Sequence, residues 1–195
     1  MSLLSKKTVV LLLTAVASLG ALNAQAAKAT ASDTAPAQKV SMLGGKFTFT
    51  LPKGFVANPL PAGDATTGTA GATGTMYTNQ TTKTVVIAAE NTIPGGLNVK
   101  DNDGQFLDST ASAFVTEQAT ALPDFTKLSE KSLTQKGTGL GLRQIDSTAT
   151  QGGGKTLDTT LMAASNTRMA IVQVISRLSD NAGHETLVKQ IVTGK

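Results

Sequence analysis

Residues 168–178 have the sequence RMAIVQVISRL, which is the longest apolar, β-branched run outside the N-terminus. Side chains of a strand alternate between its two faces, and here both faces are mostly apolar. Met169, Ile171 and Ile175 share one face, and Ala170, Val172, Val174 and Leu178 share the other. A strand with two apolar faces belongs in the middle of a sheet that is covered on both sides. The stretch therefore predicts the central strand of a globular α+β domain.

The segments around this stretch alternate in the same way and predict further strands. The first strand lies within residues 40–51, after a turn at Gly44-Gly45. The others are residues 76–77, 85–88, 127–133, 140–150 and 156–164. The links between residues 127 and 178 are too short for parallel crossovers, so an antiparallel meander is expected there. Two apolar stripes at helical spacing predict helices over residues 104–122 and from about 181 to 192. The first stripe is Phe106, Leu107, Ala111, Phe114, Val115, Ala119 and Leu122, and the second is Leu187, Val188, Ile191 and Val192. We expect one α+β domain over residues 40–195, with a single antiparallel sheet flanked by two main helices.

The N-terminus has the three parts of a secretory signal peptide. Lys6 and Lys7 form a positive region, residues 8–22 are apolar, and residues 24–26 read Ala-Gln-Ala, a small-x-small cleavage site. A membrane anchor is the alternative, but the run is short for a core of about 30 Å. We therefore expect cleavage near Ala26, a periplasmic mature protein, and a disordered linker over residues 27–39, which are mainly Ala, Thr and Ser.

Two features of the composition exclude classes of function. The chain has no cysteine, so disulfides, thiol catalysis and a lipid anchor on cysteine are excluded. Without Lys6 and Lys7, 15 basic residues face 13 acidic ones, and the chain has only six Phe and one Tyr. A nucleic-acid surface needs a basic patch or a stacking platform, so we expect no nucleic-acid partner. Residues 56–75 are rich in Gly, Ala, Thr and Pro and predict a long, mobile loop.

The candidate site motifs are weak. His184 is the only histidine, and the polar residues around it predict a surface position near the start of a helix. Residues 101–104, Asp-Asn-Asp-Gly, lack the spacing of a calcium loop and fit a turn with a helix cap better. Residues 137–141, GTGLG, precede a strand rather than a helix, which favours a hairpin bend over a phosphate loop. We therefore predict no catalytic, cofactor-binding or metal-binding residues.

Four segments, in this order and spacing, resemble the DcrB family, also called the domain of unknown function 1795. They are residues 43–52 (LGGKFTFTLP), the helix that ends at Pro123-Asp124, residues 141–147 (GLRQIDS) and residues 172–174 (VQV). The resemblance covers roughly residues 40–193. It implies a PsbP-like α/β/α sandwich in a bacterial envelope protein without catalytic residues. The enteric namesake of the family is a lipoprotein linked to bacteriophage susceptibility, whereas this chain lacks the cysteine that would carry a lipid.

Two hypotheses about function remain from the sequence. The resemblance implies a non-catalytic protein-binding or chaperone-like module, because the Eag chaperones among the relatives hold apolar helices of type VI secretion effectors. The partner would be another envelope protein, bound by an incompletely covered sheet face or by the 56–75 loop. The alternative is an enzyme that depends on a small molecule or a metal and uses scattered carboxylates. One histidine, no cysteine and no recognisable motif argue against the enzyme.

Overall fold

The computed structural model describes residues 35–64 and 71–195. Nine strands and two α-helices follow one another in these residues. The strands are β1 Gln38–Met42, β2 Phe47–Leu51, β3 Val56–Pro59, β4 Thr73–Asn79, β5 Thr84–Thr92, β6 Thr126–Thr134, β7 Gly141–Gln151, β8 Gly154–Ser165 and β9 Arg168–Arg177. Helix α1 is Gly104–Ala121, between β5 and β6, and helix α2 is Asn181–Thr193, after β9.

Strand β9 lies at the centre of a seven-stranded antiparallel sheet. The strand order is β3-β4-β5-β9-β8-β7-β6, so β9 is the fourth of seven strands. The last four strands form the antiparallel meander expected from their short connections. Residues Met169–Ser176 of β9 are all buried, which agrees with a strand that is covered on both faces. The predicted central strand, the meander and the α+β class are confirmed.

The two helices lie on opposite faces of this sheet. Helix α1 packs on β7 and β8, where Leu107, Ala111 and Phe114 contact Ile145 and Met162. Helix α2 packs on β8 and β9 from the other side through Leu187, Val188 and Ile191, together with β2. We call these the α1 face and the α2 face of the sheet. Among the described residues, no helix is long and apolar enough to cross a membrane.

The expectation of a single sheet is wrong, although the strand that ends at Leu51 and the Gly44-Gly45 turn before it are as predicted. The chain turns back within residues 40–51, and β1 pairs with β2 in a separate antiparallel hairpin. Leu43, Gly44 and Gly45 all have positive φ angles, of 51°, 65° and 93°. Glycine adopts this conformation without steric cost, so the Gly-Gly pair permits the reversal. The hairpin covers the α2 face with Phe47, Phe49 and Leu51.

The predicted 56–75 loop is partly wrong, because β3 occupies Val56–Pro59 and β4 begins at Thr73. Residues 65–70 of the loop lie outside the described residues. The predicted signal peptide and residues 27–34 of the predicted linker also lie outside the described residues. The prediction of a disordered linker is wrong for its described part: Ala35 accepts a 2.9 Å hydrogen bond from the backbone N–H of Gly54, and Gln38 and Lys39 already belong to β1.

Both helices match their predicted ranges within about one residue. Asp103 caps α1, since its side chain accepts a 3.0 Å hydrogen bond from the backbone N–H of Phe106. Ala119, expected on the apolar stripe of α1, is exposed. In α2 the expected stripe is buried except for Val192, which is half-buried, and it has one unexpected member, His184.

Candidate functional site: a cleft beside helix α2

A cleft of about 420 Å³ lies between α2 and strands β6, β7 and β8. It forms because α2 crosses β8 and β9 on the α2 face and leaves the neighbouring parts of β6 and β7 without a helix above them. Gln144 and Asp146 of β7 and Thr159 of β8 contribute polar groups to it. Val188 and Val192 of α2 contribute apolar surface. Both walls of the cleft mix polar and apolar side chains, because α2 also contributes His184, Glu185 and Lys189, and the strands also contribute Leu128 and Leu157.

Asp146 is the centre of the polar groups in the cleft. Its Oδ1 accepts hydrogen bonds from Gln144 Nε2 at 2.7 Å and Thr159 Oγ1 at 2.8 Å. Its Oδ2 accepts from Ser129 Oγ at 2.6 Å and Lys131 Nζ at 3.2 Å. Burial alone would raise the pKa of this carboxyl, but these four donors outweigh burial and hold the pKa below its usual range. All four acceptor positions of the carboxylate are thus occupied.

His184 continues this network into the interior. Its Nε2 lies 2.9 Å from Thr159 Oγ1, and its Nδ1 lies 3.0 Å from Ser176 Oγ. The Thr159 hydroxyl gives its hydrogen to Asp146, so it can only accept from Nε2–H. The neutral imidazole then accepts the Ser176 hydrogen at Nδ1. Burial lowers the pKa of His184, which agrees with the neutral form.

The predicted surface position of His184 is wrong, because the residue is only 6% exposed. The sequence does indicate burial, because His184, Leu187, Val188 and Ile191 follow the i, i+3, i+4, i+7 pattern of a buried helix face. Thr159 and Ser176 likewise occupy inward positions on otherwise apolar strand faces. A lone polar residue in an apolar stripe indicates an internal hydrogen-bond partner, since a buried polar group without one is costly.

The Ser176, His184 and Asp146 set contains the residue types of a hydrolytic triad but not its geometry. Ser176 is 1% exposed and lies beneath α2 on the sheet. Thr159 is inserted between the imidazole and the carboxylate, whereas a triad needs their direct contact. A nucleophile that cannot reach solvent cannot attack a substrate. The network therefore holds α2 on the sheet and shows no catalytic arrangement.

The outer rim of the cleft carries the largest exposed apolar side chain of this region. A β-bulge between Lys127 and Ser129 disrupts the pairing of β6 with β7. Leu128 sits in this bulge and is 58% exposed, at the open edge of the sheet. Lys131 and Lys189 flank the cleft from β6 and α2. The cleft thus joins apolar surface on α2 to the exposed leucine on β6.

A second buried carboxyl lies on the α1 face. Burial raises the pKa of Asp158 to about 7. Its Oδ2 accepts a 3.0 Å hydrogen bond from Thr156, but the hydrogen bonds from Thr156 and Gln151 do not offset the effect of burial on this pKa. An ionised carboxylate is costly in such surroundings, so Asp158 remains protonated up to near-neutral pH. This group affects the pH dependence of folding.

The acidic segment at residues 101–104 has a structural role, as expected from its spacing. Asp101 pairs with Lys46 Nζ at 2.7 Å and accepts a 2.6 Å hydrogen bond from Ser165. The hydrogen bonds from Lys46 and Ser165 lower the pKa of Asp101. The glycine-rich segment at residues 137–141 lies in the bend between β6 and β7 and at the start of β7, again as predicted. Within residues 35–64 and 71–195, no group of three His, Cys, Asp or Glu could hold a metal ion.

Two solved structures are similar to this chain. The chain is similar to the solution structure of cyanobacterial PsbP (CyanoP) from Synechocystis sp. PCC 6803, with a TM-score of 0.54 and 10% identity over 85% of this chain and 96% of that chain. It is also similar to the crystal structure of PA94, a protein of unknown function from Pseudomonas aeruginosa, with a TM-score of 0.42 and 12% identity over 80% of this chain and 92% of that chain. The likeness to CyanoP shows that the protein has a PsbP-like fold, as the resemblance implied.

No family model matches the chain, and no curated protein matches it. Membership of the DcrB family therefore stays a prediction. At 10% identity, the likeness to CyanoP concerns the fold and carries no activity or partner to this chain.

Proposed function

We propose that this protein is a non-catalytic, chaperone-like binding module of the bacterial cell envelope. It holds an apolar segment of another envelope protein in the cleft between α2 and strands β6–β8. The observation that carries the proposal is that the polar groups of the cleft are already engaged with one another. Asp146 has four donors and His184 uses both ring nitrogens, so neither is left for chemistry on a substrate.

The remaining surface of the cleft suits a protein segment. Leu128 is exposed, and Val188 and Val192 lie across the cleft from it. Burying an exposed leucine contributes about 1.5–3 kcal/mol, which suits an anchor contact in an interface. Within the described part of the chain, no strand pairs with the outer edge of β6. An extended partner segment could therefore use that backbone edge while its apolar side chains cover Leu128.

The predicted signal peptide and the resemblance to the DcrB family support the envelope location. The exported module that we propose is not tethered by a lipid on cysteine, because this sequence contains no cysteine.

Site-directed crosslinking in intact cells tests the binding surface. A photoreactive amino acid at position 128 should capture one specific partner. The same amino acid at position 97 is the matched control, because Leu97 is also exposed but lies in the loop between β5 and α1. Leu128→Asp should abolish co-purification of that partner, and Leu97→Asp should leave it unchanged.

Two results would overturn the proposal. Equal loss of the partner with both aspartate variants would show that the cleft is not the binding surface. Turnover of a hydrolase substrate by the purified protein, abolished by His184→Gln, would favour the enzyme alternative instead.

A further inference from the structure

The first half of α2 is held to the sheet by a single side chain. Among Asn181–Thr193, the buried residues are His184, Leu187, Val188 and Ile191. Before Leu187, only His184 is buried, and residues 181–183, 185 and 186 are exposed. Asp180 at the N-cap makes no side-chain capping bond. The attachment of the first helical turns therefore depends on the contacts of one imidazole.

Those contacts require the neutral imidazole. Thr159 can only accept from Nε2–H, so Nδ1 must accept the hydrogen of Ser176. A proton on Nδ1 would make this nitrogen a donor to the Ser176 oxygen, so the hydroxyl hydrogen would lose Nδ1 as its acceptor. Ser176 is buried, and its only hydrogen bond among the described residues is the one to His184. Protonation thus reverses this hydrogen bond, leaves a buried hydroxyl hydrogen without its partner and places a charge under α2, which is costly.

The surroundings of the His184 ring have opposing effects on its protonation. Burial disfavours the imidazolium, and so does its place in the first turn of α2, where the helix dipole repels cations. The carboxylates of Asp146, Asp180 and Glu185 favour it. Lys131 and Lys189 line the same cleft and oppose it. Strands β8 and β9 present to the ring only the hydroxyls of Thr159 and Ser176. The net effect is a lowered pKa.

We infer that His184 is a pH-controlled latch: protonation of its Nδ1 releases the first turns of α2 from β8 and β9 and widens the cleft. In neutral surroundings the latch is closed, with α2 docked along its whole length. In acidic surroundings the second half of α2 stays anchored by Leu187, Val188 and Ile191 while the first half detaches. The consequence for a partner rests on the proposed function, but the movement itself is a property of the free protein.

The test uses the only histidine of the chain, whose ring resonance needs no assignment. An NMR titration of the purified protein from pH 8 to pH 4.5 gives the midpoint of His184. In parallel, amide hydrogen exchange is measured at pH 7.5 and pH 5.0 and corrected for the intrinsic pH dependence. Amides 184–187, which bond to carbonyls of the first turn, are compared with amides 190–193.

We expect the ring to titrate below its ordinary value, and exchange at residues 184–187 to accelerate severalfold at pH 5.0 while residues 190–193 stay protected. His184→Gln keeps a neutral side chain and should remove the difference between the two pH values. Glu117→Gln on α1 is the control, because Glu117 is not among the charges that act on His184, and it should retain the difference. A midpoint at or above the ordinary value, or equal acceleration throughout α2, would overturn the latch. Because no partner is present, failure of the latch and failure of the proposed binding function are distinguishable.

Discussion

Val172 on β9 lies directly opposite Leu161 on β8, and neither side chain is exposed to solvent. Both point to the α2 face, where Leu187, Val188 and Ile191 cover them. This pair joins the centre of the sheet to the helix that borders the cleft. A change at Val172 therefore tests the core on which the cleft is built.

Val172→Asp should cost several kcal/mol, because it places a charge between the sheet and α2 without a partner. The fold should be lost or its thermal midpoint strongly lowered, as measured by circular dichroism. Val172→Ala is the control and should cost less, since it only removes two methyl groups. An unchanged midpoint in the aspartate variant would show that this strand is not central.

Thr159→Val should destabilise the protein by about 1–3 kcal/mol. It removes the hydroxyl between Asp146 and His184, so that a buried imidazole N–H loses its acceptor and a carboxylate oxygen loses a donor. Urea unfolding measures the change. Thr78→Val, at a half-buried position on β4, is the control and should stay within about 0.5 kcal/mol of the parent.

Asp158→Asn should stabilise the protein at pH 8 but not at pH 4. The folded-state pKa of about 7 lies above the unfolded value of 3.8. Between about pH 4 and pH 7 the folded protein keeps the Asp158 proton, whereas the unfolded chain releases it. The stability of the parent protein therefore falls as the pH rises through this range. A shift of about three units corresponds to at most about 4 kcal/mol, which asparagine, being uncharged, avoids.

Urea unfolding of both proteins between pH 4 and pH 8 measures this difference. Asp146→Asn is the comparison, because the contribution of Asp146 to stability changes with pH in the opposite direction. The pKa of Asp146 is lowered, so its contribution is present above pH 3.8 and is lost as the pH falls further. A difference between Asp158→Asn and the parent that does not change with pH would contradict the raised pKa.

Export should remove residues 1–26, because the charged, apolar and small-residue regions follow one another in the order of a signal peptide. Intact mass spectrometry of the envelope fraction should find a chain that begins at Ala27. Replacing Ala24 and Ala26 by larger residues should block cleavage. A mature species that still contains residues 8–22 would favour a membrane anchor.

The central strand, the meander and both helices could be predicted from sequence, because each depends on a local pattern. Residues 168–178 are apolar on two faces, which only a central, covered strand requires. Short connections allow only antiparallel neighbours, and this settled the order from β6 to β9. The stripe of α2 even contained His184 at the right spacing, although the single residue gave no indication of its partners.

The sequence by itself thus determined the α+β class, both helices and the strands that follow one another in the meander. Tertiary structure alone decided that β1 and β2 form a separate hairpin and that α2 leaves part of β6 and β7 uncovered. It also brought Asp146, Thr159, Ser176 and His184 together from two hairpin strands, the central strand and a helix. These contacts depend on strand register and helix docking, which arise from packing between segments distant in the chain. The cleft and its latch are consequences of that packing.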